Sequence, residues 1–123
     1  YVQKLIAAVQ TDDFCVIYHN CGDNVPHMIT DLYQLGALGY HFGDAINMLD
    51  ILPQAPKDVL VMGNISPANS FRGGTPESIA AETKRLIENC SAFSNFVISS
   101  GCDIPPQSPC QRLRFFFSRL PSP

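Results

Sequence analysis

Basic residues are scarce: eight Lys and Arg stand against eleven Asp and Glu, a formal charge of −3, with no basic stripe anywhere. A nucleic-acid partner is therefore not suggested. Long apolar runs are also missing. None approaches the roughly eighteen residues that span a bilayer, and the opening residues lack the layout of a signal peptide, so no membrane association is expected. The five cysteines, at positions 15, 21, 90, 102 and 110, are odd in number and do not form the spacing pattern of a secreted disulfide scaffold. A reducing compartment, the cytoplasm, suits them best. No internal repeat is visible. What the chain does have is 46% hydrophobic residues against 15% charged, the balance of a globular rather than a disordered sequence. Its 123 residues suffice for one domain with a core and not for two.

Read in order, apolar positions alternate between helical and strand-like spacing. Val2, Leu5, Ile6 and Val9 recur at i, i+3, i+4, i+7, one face of a helix. After Thr11-Asp12-Asp13, the run Phe14–Tyr18 predicts a strand buried on both sides. Pro26 suits a first helical turn, and Ile29, Leu32 and Tyr33 form the stripe of a helix that stops near Gly36. A second strand is expected around Tyr40–Phe42, then a brief helix from Ala45 to Leu52 ended by Pro53 and Pro56. Val59–Met62 predicts the third strand, running into a turn at Gly63–Pro67. Thr75-Pro76-Glu77 supplies an N-cap, a proline at the first helical position and an acid in the first turn. The inward face of that helix is Ile79, Thr83, Leu86, Ile87 and Cys90. A fourth strand follows at Asn95–Ser99, then a last helix with Leu113, Phe116, Phe117 and Leu120. Such alternation argues for an α/β fold: parallel strands with right-handed crossovers, in four consecutive βα units, half the number in a (β/α)8 barrel.

Two clusters fall just after strands, the end of such folds where chemistry sits. His19 and Cys21, two positions apart, share a face if the strand continues through Cys21. Cys102 follows the fourth strand. If the fold brings these strand ends together, one imidazole nitrogen and two sulfurs converge as a three-ligand zinc site with a fourth position open. Spacing alone leaves the alternative that the cysteines are small buried hydrophobes.

Five blocks in order, His19-Asn-Cys-Gly22, Tyr40-His-Phe-Gly43, Val61-Met-Gly-Asn-Ile-Ser-Pro67, Gly74-Thr-Pro-Glu77 and Ser99-Ser-Gly-Cys-Asp-Ile-Pro105, resemble the C-terminal half of the uroporphyrinogen decarboxylase superfamily, over residues 14–109. The resemblance implies a TIM-type (β/α)8 barrel of which this chain, as one domain over residues 1–123, supplies the last four units. The decarboxylases generally lack the H-x-C pair and carry His where this chain has Cys102. The methylcobamide:coenzyme M methyltransferase branch is similar in both places, and its pattern implies His19, Cys21 and Cys102 as ligands of Zn²⁺. It further implies a small thiol as substrate and a methylcobamide, carried by a separate corrinoid protein, as methyl donor.

Other residues have two readings each. Asn64 either points an amide at substrate or is a turn residue. His41 faces the barrel mouth or caps the core. Asp44 and Asp103 orient a ligand or substrate, or are exposed loop carboxylates. His27 reads as structural. Cys15, Cys90 and Cys110 match nothing in the zinc pattern, and the first two read as core. Tyr1 is not an initiator Met and the chain opens inside a helical pattern, so a piece of a longer protein is expected, without its N-terminal half and inactive alone. The tail from Pro109 keeps a helical stripe but lacks the acidic, Asn-containing start that the family leads one to expect, as a truncated or frame-shifted product would. A half-barrel leaves strand edges unpaired, so a homo-oligomer or a rearranged sheet is expected. Two alternatives to the methyltransferase stand: a metal-free decarboxylase-like enzyme acting on a tetrapyrrole, and a non-catalytic truncated domain.

Overall fold

Four short strands, each followed by helical structure, form one parallel sheet in the order β1-β2-β3-β4. The computed structural model describes residues 1–120. The strands are β1 (Ile17–Asn20), β2 (Gly39–Phe42), β3 (Leu60–Ile65) and β4 (Phe96–Ser100), and the helices are α1 (Val2–Val9), α2 (Val25–Tyr33), α3 (Met48–Ile51), α4 (Pro76–Cys90) and α5 (Cys110–Phe117). Neighbours in sequence are neighbours in the sheet, the arrangement of consecutive βα units. The sheet is not rearranged to cover its edges.

Register decides which face each residue serves. Tyr18, Tyr40, Val61 and Phe96 lie side by side across all four strands. Tyr40 and Val61 are fully buried under the helices, with Tyr18 and Phe96 packed against them. The next row, His19, His41, Met62 and Val97, must face the other way because strand side chains alternate. That second face also carries Ile17 and Leu60 and is largely open, with Ile17 55% and Leu60 46% exposed. It is the inner wall of half a barrel.

On the helix side, Ile29, Leu32, Ile51, Leu52 and Cys90 pack on Tyr40 and Phe42. Tyr33 and Tyr40 meet edge to face at 5.0 Å. The Tyr33 hydroxyl donates to Ile51 O, while Tyr40 donates to Tyr33 O and accepts from Ala37 N–H. Burial raises the pKa of both hydroxyls, that of Tyr33 well above the ordinary tyrosine range, so they stay protonated donors. A second cluster, Ile65, Phe71, Ile79 and Phe116, joins β3, α4 and α5. Thr75 caps α4 in a reciprocal box with Ser78, as the sequence predicts for its start.

Several expectations are corrected. β1 begins three residues late, because Phe14, 58% exposed, closes a tight turn by bridging to Thr11 instead of joining the sheet. Cys15 is likewise exposed rather than core, whereas Cys90 is buried. In α1 only Ile6 is buried; Val2, Leu5 and Val9 face outward. The predicted turn at 63–67 is strand through Ile65, followed by a π-type turn, Pro67–Arg72. Phe117 is exposed while Phe116 takes the inward place. The helix expected over Ala45–Leu52 shrinks to α3 plus a 3-10 turn, Leu52–Gln54, that accommodates Pro53.

Candidate metal centre

The ends of β1 and β4 do come together. β1 delivers His19 onto the inner face, and Asn20 bends the chain beyond it: its side-chain carbonyl accepts from Gly22 N–H at 2.9 Å, an Asx-type turn. This brings Cys21 back beside His19. At the far strand, Cys102 follows β4 by two residues. His19 Nε2 and Cys102 Sγ lie 3.6 Å apart, and the three donor atoms of His19, Cys21 and Cys102 all fall within 4.8 Å of one another. Among the described residues this is the group of His, Cys, Asp and Glu side chains close enough to share an ion.

Bond lengths for tetrahedral zinc, about 2.3 Å to sulfur and 2.0–2.1 Å to imidazole nitrogen, place an N and an S ligand about 3.6 Å apart. The His19–Cys102 separation matches that spacing, and one imidazole with two thiols is a donor set of the kind zinc takes. One histidine and two cysteines leave a fourth position open, as catalytic zinc sites do. The site is accessible: His19 and Cys21 are exposed and Cys102 is half-buried.

His19 is held in the tautomer that leaves Nε2 unprotonated. Its Nδ1 lies 3.1 Å from the carbonyl oxygen of His41, an acceptor only, so Nδ1 carries the proton and Nε2 keeps its lone pair toward Cys102. The two imidazoles pack at 4.6 Å between centroids. His41 itself reaches across β3: its Nε2–H donates to Ser100 O at 2.6 Å and lies 3.0 Å from Ser99 Oγ. One residue thus orients His19 through its backbone and braces the end of β4 through its ring. Ser99, whose hydroxyl also donates to Ser100 O, was not singled out from sequence; the only signal was its polarity at the end of an apolar strand.

The remaining residues read from sequence lie elsewhere. Asn64 is buried and commits both amide protons to backbone, donating to Gly43 O at 3.0 Å and Ile46 O at 2.5 Å. With Asp44, Glu82 and Arg85 it lines a polar cleft of about 340 Å³ against α4, on the helix side of the sheet. Asp44 and Asp103 are exposed, and among the described residues neither carboxylate makes a hydrogen bond or ion pair.

Against known proteins, the family model for uroporphyrinogen decarboxylase (URO-D) matches residues 1–121, which takes in α1 and most of the compositionally unusual tail. The chain is 22% identical over 114 residues to methylcobamide:CoM methyltransferase MtbA of Methanosarcina acetivorans, covering 93% of this chain and 32% of that protein. Among solved structures it is similar to a methyltransferase from Methanosarcina mazei, with a TM-score of 0.80, 23% identity, and coverage of 96% of this chain and 33% of that one. The chain therefore spans about a third of the length of the relatives it matches.

Proposed function

Because this chain belongs to the uroporphyrinogen decarboxylase family, we propose that it carries the zinc-binding part of a corrinoid-dependent methyltransferase, one that moves a methyl group from a methylcobamide to a small thiol. The observation that carries this reading is the convergence of the His19, Cys21 and Cys102 donor atoms within 4.8 Å of one another, with His19 Nε2 and Cys102 Sγ at zinc-ligand spacing. Similarity to MtbA supports the methyl donor. Zinc at this site supplies a Lewis acid with an open position, which lowers the pKa of a thiol placed there. The chain's own part is to position. The His41 carbonyl fixes the His19 tautomer, the hydrogen bonds from His41 to β4 hold the strand that bears Cys102, and the exposed side of the site admits the substrate. In the transfer, the thiol sulfur loses its proton to solvent and forms the new bond to the methyl carbon. The carbon–cobalt bond of the cobamide breaks, with its electron pair left on the corrinoid.

The chain holds one wall of the pocket. Its inner face exposes Ile17, Leu60 and Val97, and β1 and β4 each keep an unpaired edge. In the reading proposed, the rest of a longer barrel covers these surfaces and completes the active site, so the chain by itself turns over no methylcobamide. In its absence, the same edges drive self-association. Light scattering at micromolar concentration is expected to give a mass above that of the monomer; a clean monomer would count against it.

The activity is tested by following the visible spectrum of methylcobalamin with a small thiol and zinc-loaded protein. Demethylation is expected from a chain that includes the rest of the barrel and lost on Cys102→Ser, while the 123-residue chain gives the uncatalysed rate. Undiminished demethylation by the Cys102→Ser protein would refute the proposal.

A further inference from the structure

The loops that bring the two cysteines together are stacked on glycines. Gly43, just after β2, is buried with its backbone against Cys21: a Cβ there would lie 2.7 Å from Cys21 Cα and 2.8 Å from Cys21 Cβ. Gly101, just before Cys102, is buried against the next residue of the same loop: its Cβ would lie 2.6 Å from Asp44 N and 3.1 Å from Gly43 C. Real Cβ atoms essentially never come closer than 3.0 Å, as the 2.7 Å approach to Cys21 Cα and the 2.6 Å approach to Asp44 N would, and backbone cannot swing aside as a side-chain tip can. Neither glycine has a positive φ. Conformation is thus not what excludes a side chain; lack of space is. The chain of contact runs Cys21, Gly43, Asp44, Gly101, Cys102, from one sulfur ligand to the other. It is pinned from outside by Asn64, which donates to Gly43 O, and by Gly101 N–H, which donates to Ile65 O at 2.8 Å.

We infer that Gly43 and Gly101 are the positioning residues of the site: their missing side chains set the Cys21–Cys102 separation, so the two thiols are preassembled before any metal arrives. This rests on the proposed metal-binding role for its consequence, since a site about 1 Å too loose loses much of its function, but not for its geometry. A methyl group at either glycine wedges one loop outward and separates the sulfurs.

The test needs no metal. Reduced, metal-free protein is treated with dibromobimane, a short bifunctional thiol reagent, and the bridged peptides are identified by mass spectrometry. Wild-type protein is expected to form the Cys21–Cys102 bridge, with exposed Cys15 and Cys110 labelled singly. Gly43→Ala and Gly101→Ala should each slow bridging by at least about tenfold, the scale that a displacement near 1 Å produces, while circular dichroism shows them folded. Gly74→Ala is the matched control: its Cβ would lie 2.7 Å from Ser70 O, an equal clash in the loop before α4, and it should leave bridging at the wild-type rate. Folded glycine variants that bridge as fast as wild type would overturn the inference. So would unfolding of both with Gly74→Ala folded, since the glycines would then maintain the fold and not the site. A parallel zinc titration separates the two ideas: bridging as expected with no zinc uptake by wild type refutes the metal reading and leaves the glycine inference standing.

Discussion

Replacing Cys102 with serine is expected to weaken zinc binding by more than about 100-fold, beyond the roughly 10–100-fold that loss of a mere supporting partner costs a metal site. The reason is the donor set. In the proposed site His19, Cys21 and Cys102 are three ligands from two distant stretches of chain, and Cys102 is the only one contributed by β4 and its loop. Without it, zinc keeps two neighbours from a single loop after β1 and nothing from the opposite strand end. Serine is nearly the same size, so the fold is left intact and the loss reports ligation. Competition with a chromophoric chelator measures it. Cys110→Ser, at an exposed cysteine beyond the donor group, should change nothing. Equal affinities for the Cys102 and Cys110 variants would remove Cys102 from the site.

The second large effect is on stability. Asn64→Asp is expected to destabilise the fold by roughly 1–3 kcal/mol, the cost of leaving the buried Ile46 carbonyl without its donor, while the Gly43 carbonyl keeps a second donor in Ile46 N–H at 3.3 Å. Both protons of the Asn64 amide go to backbone carbonyls, of Gly43 and of Ile46, in the loop after β2. An aspartate of the same shape offers neither proton and sets a carboxylate against two carbonyl dipoles in a buried position. Urea denaturation, with an exposed change such as Asp103→Asn as reference, gives the difference. A loss below about 0.5 kcal/mol, the range of ordinary surface substitutions, would mean that the amide is dispensable to the loop. Because the same loop supports Cys21 through Gly43, the variant should also weaken zinc binding.

How far the sequence led can be judged residue by residue. The alternation of apolar runs gave the four strands and their parallel sense; their order came with the barrel that the family resemblance implies, because open α/β sheets built from the same units take other orders. The capped start of α4 was legible because Thr75, Pro76 and Glu77 act within one turn; the reciprocal bond from Ser78 was added by the structure. β1 was placed too early because Phe14–Tyr18 reads like a buried strand, whereas Phe14 bonds back to Thr11 across the Asp12-Asp13 turn. Strand β3 was cut short at Gly63: a Gly-Asn pair signals a turn, but here Gly63 takes a φ of 146°, open to glycine, and the ladder with β4 continues through Ile65. The π-type turn at Pro67–Arg72 had no sequence signature, being held by long-range bonds in which Ser66 N–H and the Ser70 hydroxyl donate to Glu82 and Arg112 donates to Phe71 O.

The site divides in the same way. His19, Cys21 and Cys102 were legible as types and positions after strands, with the family pattern to join them. The parts that hold them were not. His41 orients His19 with a backbone carbonyl, which any residue possesses, and Gly43 and Gly101 act by what they lack. Side-chain identity cannot announce either role; only the packed arrangement of three loops does.

X-ray absorption at the zinc edge most directly tests whether this arrangement serves a thiol. Protein loaded with one equivalent of zinc is expected to show two sulfur neighbours at about 2.3 Å together with imidazole nitrogen. Adding a small thiol should raise the sulfur count to three as the open position fills. A sulfur count that stays at two in saturating thiol would contradict the account.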